Sequence, residues 1–121
     1  MAKKILIVDD DEATRGLVKT LLEGDYEIST ASTGKEALAA LKKSKYDLIL
    51  LDYFMPEMSG KDVLEKVRAD PKTKKLKAIL LTVALFSEAG IDKVKELGIE
   101  GYIRKPFDNN AFKKGIKKVL T

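Results

Sequence analysis

Three short stretches of this chain are apolar without alternation: Ile5-Leu6-Ile7-Val8, Leu48-Ile49-Leu50-Leu51 and Ala78-Ile79-Leu80-Leu81. A strand with one wet face alternates in polarity. A strand that is apolar at every position is covered on both faces, which is the condition inside a parallel sheet. Two further segments, residues 26–31 and 101–104, carry mixed polarity and fit sheet edges. Helical stripes fill the gaps. Leu17, Val18, Leu21 and Leu22 form the first, and Ala37, Leu38 and Leu41 the second. Val63, Leu64 and Val67 form the third, Ile91, Val94 and Leu97 the fourth, and Phe112, Ile116, Val119 and Leu120 the last.

Capping residues mark the boundaries. Thr33 with Glu36 has capping-box spacing, and Ser59, Ser87 and Asp108 are placed as N-caps. Gly24 and Gly98 stand where helices should stop. Gly90 and Gly115 fall inside helical patterns and weaken them by about 1 kcal/mol each relative to Ala. The Lys-rich stretch from Asp70 to Lys75 reads as a surface loop. Strict strand–helix alternation with right-handed crossovers predicts a doubly wound α/β sheet of five parallel strands. With the apolar runs central and the mixed ones at the edges, the order is 2-1-3-4-5. The 121 residues suit one domain, 1–121.

Composition removes whole classes of chemistry. The sequence holds no Cys and no His, so thiolate and imidazole metal sites, disulfides, and Ser-His or Cys-His catalysis are excluded. No apolar run approaches the ~18 residues of a membrane span, and Met1-Ala2-Lys3-Lys4 leads straight into a strand-like run, so secretion is not expected. A cytoplasmic protein without membrane insertion is therefore expected. The net charge is +4, yet only three basic residues are Arg (Arg15, Arg68, Arg104). Base readout favours Arg, and single-strand binding favours aromatic platforms, so no direct nucleic-acid partner is expected.

In doubly wound sheets, ligands bind beyond the carboxyl ends of the strands. The first strand exits into Asp9-Asp10-Asp11-Glu12, the third into Asp52, the fourth into Thr82, and the fifth into Lys105-Pro106. Each residue alone has an ordinary reading: a helix start, a turn, a strand-end Thr, a solvated Lys. Their joint placement at four strand ends does not. Two carboxylates ~4 Å apart repel by about 4 kcal/mol at an effective dielectric near 20. Either their pKa values rise or a cation binds, and oxygen donors of this kind suit Mg²⁺ (or Mn²⁺). Asp52, presented rigidly at the end of a buried strand, could serve as a nucleophile toward phosphorus. The cation, Lys105 and Thr82 could then neutralise the phosphoryl oxygens.

With these residues in view, the chain resembles the receiver domain of two-component response regulators, of the single-domain chemotaxis type. The resemblance rests on Asp9-Asp10, Asp52 with Met55-Pro56 and Gly60, Thr82, Tyr102, and Lys105-Pro106-Phe107, and it spans essentially the whole chain. It implies the flavodoxin-like (βα)5 fold. It implies Asp52 as phosphoacceptor for a phosphohistidine on a sensor histidine kinase or phosphotransfer protein. Asp10, Asp52 and the Phe54 carbonyl would be direct Mg²⁺ ligands, with Asp9 acting mainly through bound water. Lys105 would bind phosphate, across a cis bond to Pro106. Thr82 and Tyr102 would form a switch pair that changes the surface of the fourth helix, fifth strand and last helix for a downstream target protein. Lys113, Lys114, Lys117 and Lys118, opposite the last apolar stripe, could steer an acidic partner or simply keep the helix soluble.

Two positions depart from the family pattern. Val83 replaces a small residue, and Phe54 sets a bulky ring beside the site. The first could slow acceptance; the second could shield the phosphoryl group from water. Rival readings fare worse. A related phosphatase would carry an acid two residues after Asp52, where Phe54 stands, so the chain is not expected to be a turnover enzyme. A flavin module needs a phosphate-cradling loop where Asp9, Asp10 and Asp11 would repel one. A receiver-like interaction module that is never phosphorylated remains as the alternative.

Overall fold

In the computed structural model, residues 2–82, 92 and 94–121 are described. Five parallel strands, β1 (Lys4–Val8), β2 (Glu27–Ala31), β3 (Leu48–Asp52), β4 (Lys77–Thr82) and β5 (Gly101–Arg104), form one sheet in the order β2-β1-β3-β4-β5. Helices α1 (Glu12–Leu22), α2 (Gly34–Lys43) and α3 (Gly60–Ala69) lie between the strands, and a C-terminal helix (Asn109–Leu120) closes the chain. Residues 94–96 are helical. Val83, Ser87, Gly90 and Ile91 lie outside the described residues.

The unbroken apolar runs serve two cores. Alternation along each strand sends Leu6, Val8, Ile49, Leu51, Ala78 and Leu80 to one face, against Ala37, Val63, Leu64, Val67 and Val94. Ile5, Ile7, Leu48, Leu50, Ile79 and Leu81 face the other way, against Val18, Leu22, Phe112 and Ile116. Every residue of β3 is buried. The mixed-polarity strands β2 and β5 are the edges, as their sequence requires.

Most caps stand as expected. Ser59 and Asp62 form a reciprocal capping box at α3, and Asp108 accepts from the Ala111 N–H. At α2 the box is displaced. Thr33 accepts from the Glu36 N–H, but the Glu36 carboxylate turns back to the N–H and hydroxyl of Ser32 rather than to Thr33. One expectation is corrected and another refined. Leu17 is exposed, because the buried arc of α1 is narrower than its apolar stripe and is filled by Val18 and Leu22. Gly24 stands where α1 stops, but not as a left-handed cap: the C-cap Glu23 has right-handed backbone, and the N–H groups of Asp25 and Tyr26 close onto the Leu22 carbonyl. Gly98, by contrast, has φ +79°, the left-handed conformation that a side chain resists.

Arg68 was not singled out by any sequence signal. Its guanidinium donates to four carbonyls, those of Leu97, Lys74, Leu76 and Gly98. It thereby ties α3 to the entry of β4 and to the turn before β5.

Candidate functional site

The carboxyl ends of β1, β3, β4 and β5 converge, and with them the residues that the sequence marked. Asp9 follows β1 directly and is completely buried. Its Oδ1 accepts from the Asp11 N–H at 2.9 Å and its Oδ2 accepts from Lys105 Nζ at 2.6 Å. Its carbonyl accepts from the Arg15 guanidinium at 2.8 Å. Asp9 is thus locked by two partners at the start of α1 and one from the far end of the chain. Arg15, one turn into α1, is a positioning residue that sequence reasoning missed; its only signal was its rarity among the basic residues.

Asp52 ends β3 and is buried. Its Oδ1 lies 3.8 Å from Lys105 Nζ and accepts from the Phe54 N–H at 3.3 Å. Asp10 sits exposed at the rim. One carboxylate oxygen from each of Asp9, Asp10 and Asp52 lies within 4.8 Å of the others. Burial pushes the Asp52 carboxyl up to about 7, helped by the negative charge of Asp9 and a hydrogen bond shared with Asp10, and opposed by Lys105 and the Phe54 N–H. Three acids and one ammonium leave the cleft short of positive charge. Hard oxygen donors this close match what Mg²⁺ takes, so the residues present fit the ion.

The surroundings hold Asp52 in place. The Tyr53 N–H donates to the Leu81 carbonyl, and the Gly60 N–H donates to the Tyr53 carbonyl at 2.8 Å. A Cβ on Gly60 would stand 2.5 Å from the Asp52 carbonyl oxygen and 2.9 Å from Tyr53 Cα. Only glycine lets the start of α3 come this close to the end of β3. Thr82, the last residue of β4, is buried, and its carbonyl accepts from the Lys105 N–H at 2.7 Å. That bond brings Lys105 back over the site, with the expected cis peptide to Pro106. Tyr102 is exposed on β5, and Phe54 is exposed with its ring edge against Tyr53. Lys113, Lys114, Lys117 and Lys118 are exposed on the C-terminal helix, away from the cluster.

The profile of the response regulator receiver domain family matches residues 5–117. The chain is 38% identical over 119 residues to the chemotaxis protein CheY-3 of Vibrio cholerae, covering 97% of this chain and 91% of that protein. Among solved structures, it is similar to chemotaxis protein CheY4 of Vibrio cholerae, with TM-score 0.92 and 33% identity, covering 99% of this chain and all of the other. It is similar also to response regulator TrrA of Thermotoga maritima in complex with Mg²⁺ and BeF, with TM-score 0.83, 39% identity, and 98% and 99% of the two chains covered. No described helix is long and apolar enough to cross a membrane.

Proposed function

This chain belongs to the response regulator receiver domain family, and from that premise we propose that its residues 1–121 act as one phosphoacceptor domain with Asp52 as the acceptor. The observation that carries this reading is the position of Asp52. It ends a wholly buried strand, shares a cluster with Asp9 and Asp10, and has an ammonium 3.8 Å away.

An Asp52 oxygen attacks the phosphorus of a kinase or phosphotransfer-protein phosphohistidine. A P–O bond forms as the P–N bond breaks, and the donor imidazole leaves with the electron pair. The attack requires the ionised carboxylate, so the cleft must offset the burial that favours the proton. Asp9, Asp10, Asp52 and the Phe54 carbonyl would hold Mg²⁺, which when bound supplies positive charge to the transferred oxygens. Lys105 already spans Asp9 and Asp52 and adds a second positive charge from the end of the edge strand β5. Thr82, at the neighbouring strand end, offers a hydroxyl to a third oxygen. Its approach to the phosphoryl group, with Tyr102 turning inward from its exposed position, would alter the surface around β5 and the C-terminal helix for a target protein. Catalysis is confined to the domain's own phosphorylation and dephosphorylation, and the protein works in the cytoplasm.

The test is acetyl phosphate with Mg²⁺, read by intact mass. The wild type gains about 80 Da (HPO₃), and Asp52→Asn gains nothing. A wild-type chain that never gains this mass overturns the reading.

A further inference from the structure

The opposite pole of the molecule carries the reverse charge. The last turn of α2 with its connection to β3, and the loop from α3 to β4, wall an open groove of about 950 Å³. Lys42, Lys43 and Lys45 line one side, and Lys72, Lys74 and Lys75 the other; all six are exposed, and a seventh, Lys77 at the start of β4, donates through its ammonium to the Val119 carbonyl. Among the described residues the single acid in the groove, Asp47, already accepts from the Lys4 N–H at 2.8 Å. Asp70 borders a neighbouring hollow, where its carboxylate accepts from the Lys72 N–H. The groove is therefore more positive than the whole chain, whose net charge is only +4.

The form of the site narrows the partner. The charges are ammonium groups on flexible stems, which pair with carboxylates at many spacings, and no Arg lines the groove. Its one aromatic ring, Tyr46, is covered by the Lys4 ammonium 5.1 Å from the ring centre, so no platform is offered to a base. The lysines line a hollow between two loops rather than a flat face, which suits an extended chain better than a membrane surface. β3 runs from this groove to Asp52, roughly 17 Å for its five residues. An occupant here leaves the acidic cluster open.

We infer that this groove is a docking site for an acidic, extended polypeptide segment of a partner protein, engaged whether or not Asp52 is modified. It tethers the partner electrostatically while the opposite pole carries the chemistry.

The test is fluorescence anisotropy with a labelled oligoglutamate, on the full chain with and without Mg²⁺ and beryllofluoride. Binding should weaken about tenfold between low and physiological ionic strength. It should be unchanged by beryllofluoride. It should fall by about tenfold both in the Lys72→Ser, Lys74→Ser, Lys75→Ser variant and in the Lys42→Ser, Lys43→Ser, Lys45→Ser variant. A Lys113→Ser, Lys117→Ser, Lys118→Ser variant, with the same charge change elsewhere, should bind like the wild type. An equal loss in that control overturns the site. So does absent binding, or tighter binding of a single-stranded oligonucleotide or of vesicles rich in phosphatidylserine. Self-association of the free protein that the groove variants abolish would assign the groove to a second copy and overturn the partner. Acetyl phosphate labelling of the same variants separates this result from the reading of Asp52.

Discussion

Lys105 and Asp9 stand 96 positions apart in the chain and 2.6 Å apart in space. The Asp9 side chain is wholly buried and that of Lys105 nearly so. Removing the ammonium leaves a buried carboxylate with Asp52 beside it and no cation between them. Lys105→Ala should lose about 3 kcal/mol of stability at neutral pH. Added Mg²⁺ should return much of that loss, because the deficit is one of charge rather than of packing. Thermal unfolding with and without Mg²⁺ measures both effects.

Asp52 carries the pH dependence. Its carboxyl is raised from 3.8 to about 7 in the folded chain, chiefly by burial and then by Asp9. The folded state therefore binds this proton more tightly than the unfolded state does. Its contribution to stability is greatest below pH 4 and is lost as pH rises toward 7. Without divalent ions we expect a decline of about 2 kcal/mol across that window, half the full linkage value, because exposed Asp10 lets water screen the cluster. Asp52→Asn should remove this slope. Mg²⁺ competes with the proton, so its affinity should fall as pH drops below 7, by up to about tenfold per unit. Urea unfolding and Mg²⁺ titration over pH 5–8 would measure these slopes.

Gly60→Ala sets a methyl group against the Asp52 carbonyl and Tyr53 Cα. Both are backbone atoms of the strand that carries the acceptor, and neither can swing aside. The variant should lose about 2–3 kcal/mol and label more slowly with acetyl phosphate. Gly34→Ala is the control: its methyl would first meet side chains, the flexible Met58 thioether and the buried Val63, rather than backbone of the site. Comparing the two variants separates crowding of the site from crowding of the core.

Arg68→Ala leaves four carbonyls without their donor. The Leu97 and Leu76 carbonyls are part-buried. The cost should be about 2–4 kcal/mol, and Arg68→Lys should recover less than half of it, since one ammonium cannot span four acceptors. Hydrogen exchange should show the loss at the entry to β4 and before β5.

Phe54 is exposed beside Asp52. If its ring shields the phosphoryl group from water, Phe54→Ala should shorten the phosphorylated lifetime about fivefold, close to 1 kcal/mol of barrier. Decay of the labelled mass over time tests this, and an unchanged lifetime removes the ring from the mechanism.

The sheet was legible because its cause is local. A strand apolar at every position has one stable setting at the sheet centre, and three of them, with two mixed-polarity strands and a helical stripe in each gap, set the class and order of the fold. The acids, Thr82 and Lys105 were legible because each ends a strand or lies within two residues of its end, and strand ends are where such a sheet gathers its loops. Leu17 misled because a stripe records which residues are apolar, not how wide an arc the neighbours cover.

The sequence by itself determined the layers, the strand order and the residue types at the reactive edge, since periodicity and strand ends are properties of short segments. Tertiary structure alone decided that Lys105 bonds to Asp9 rather than standing free, that Arg68 holds carbonyls 29 and 30 positions away, and that the lysines of residues 42–45 and 72–77 share one groove. Those pairings join segments far apart in the chain. Only the closed fold brings their charges within a few ångströms, where Coulomb attraction and desolvation become strong enough to choose between partners.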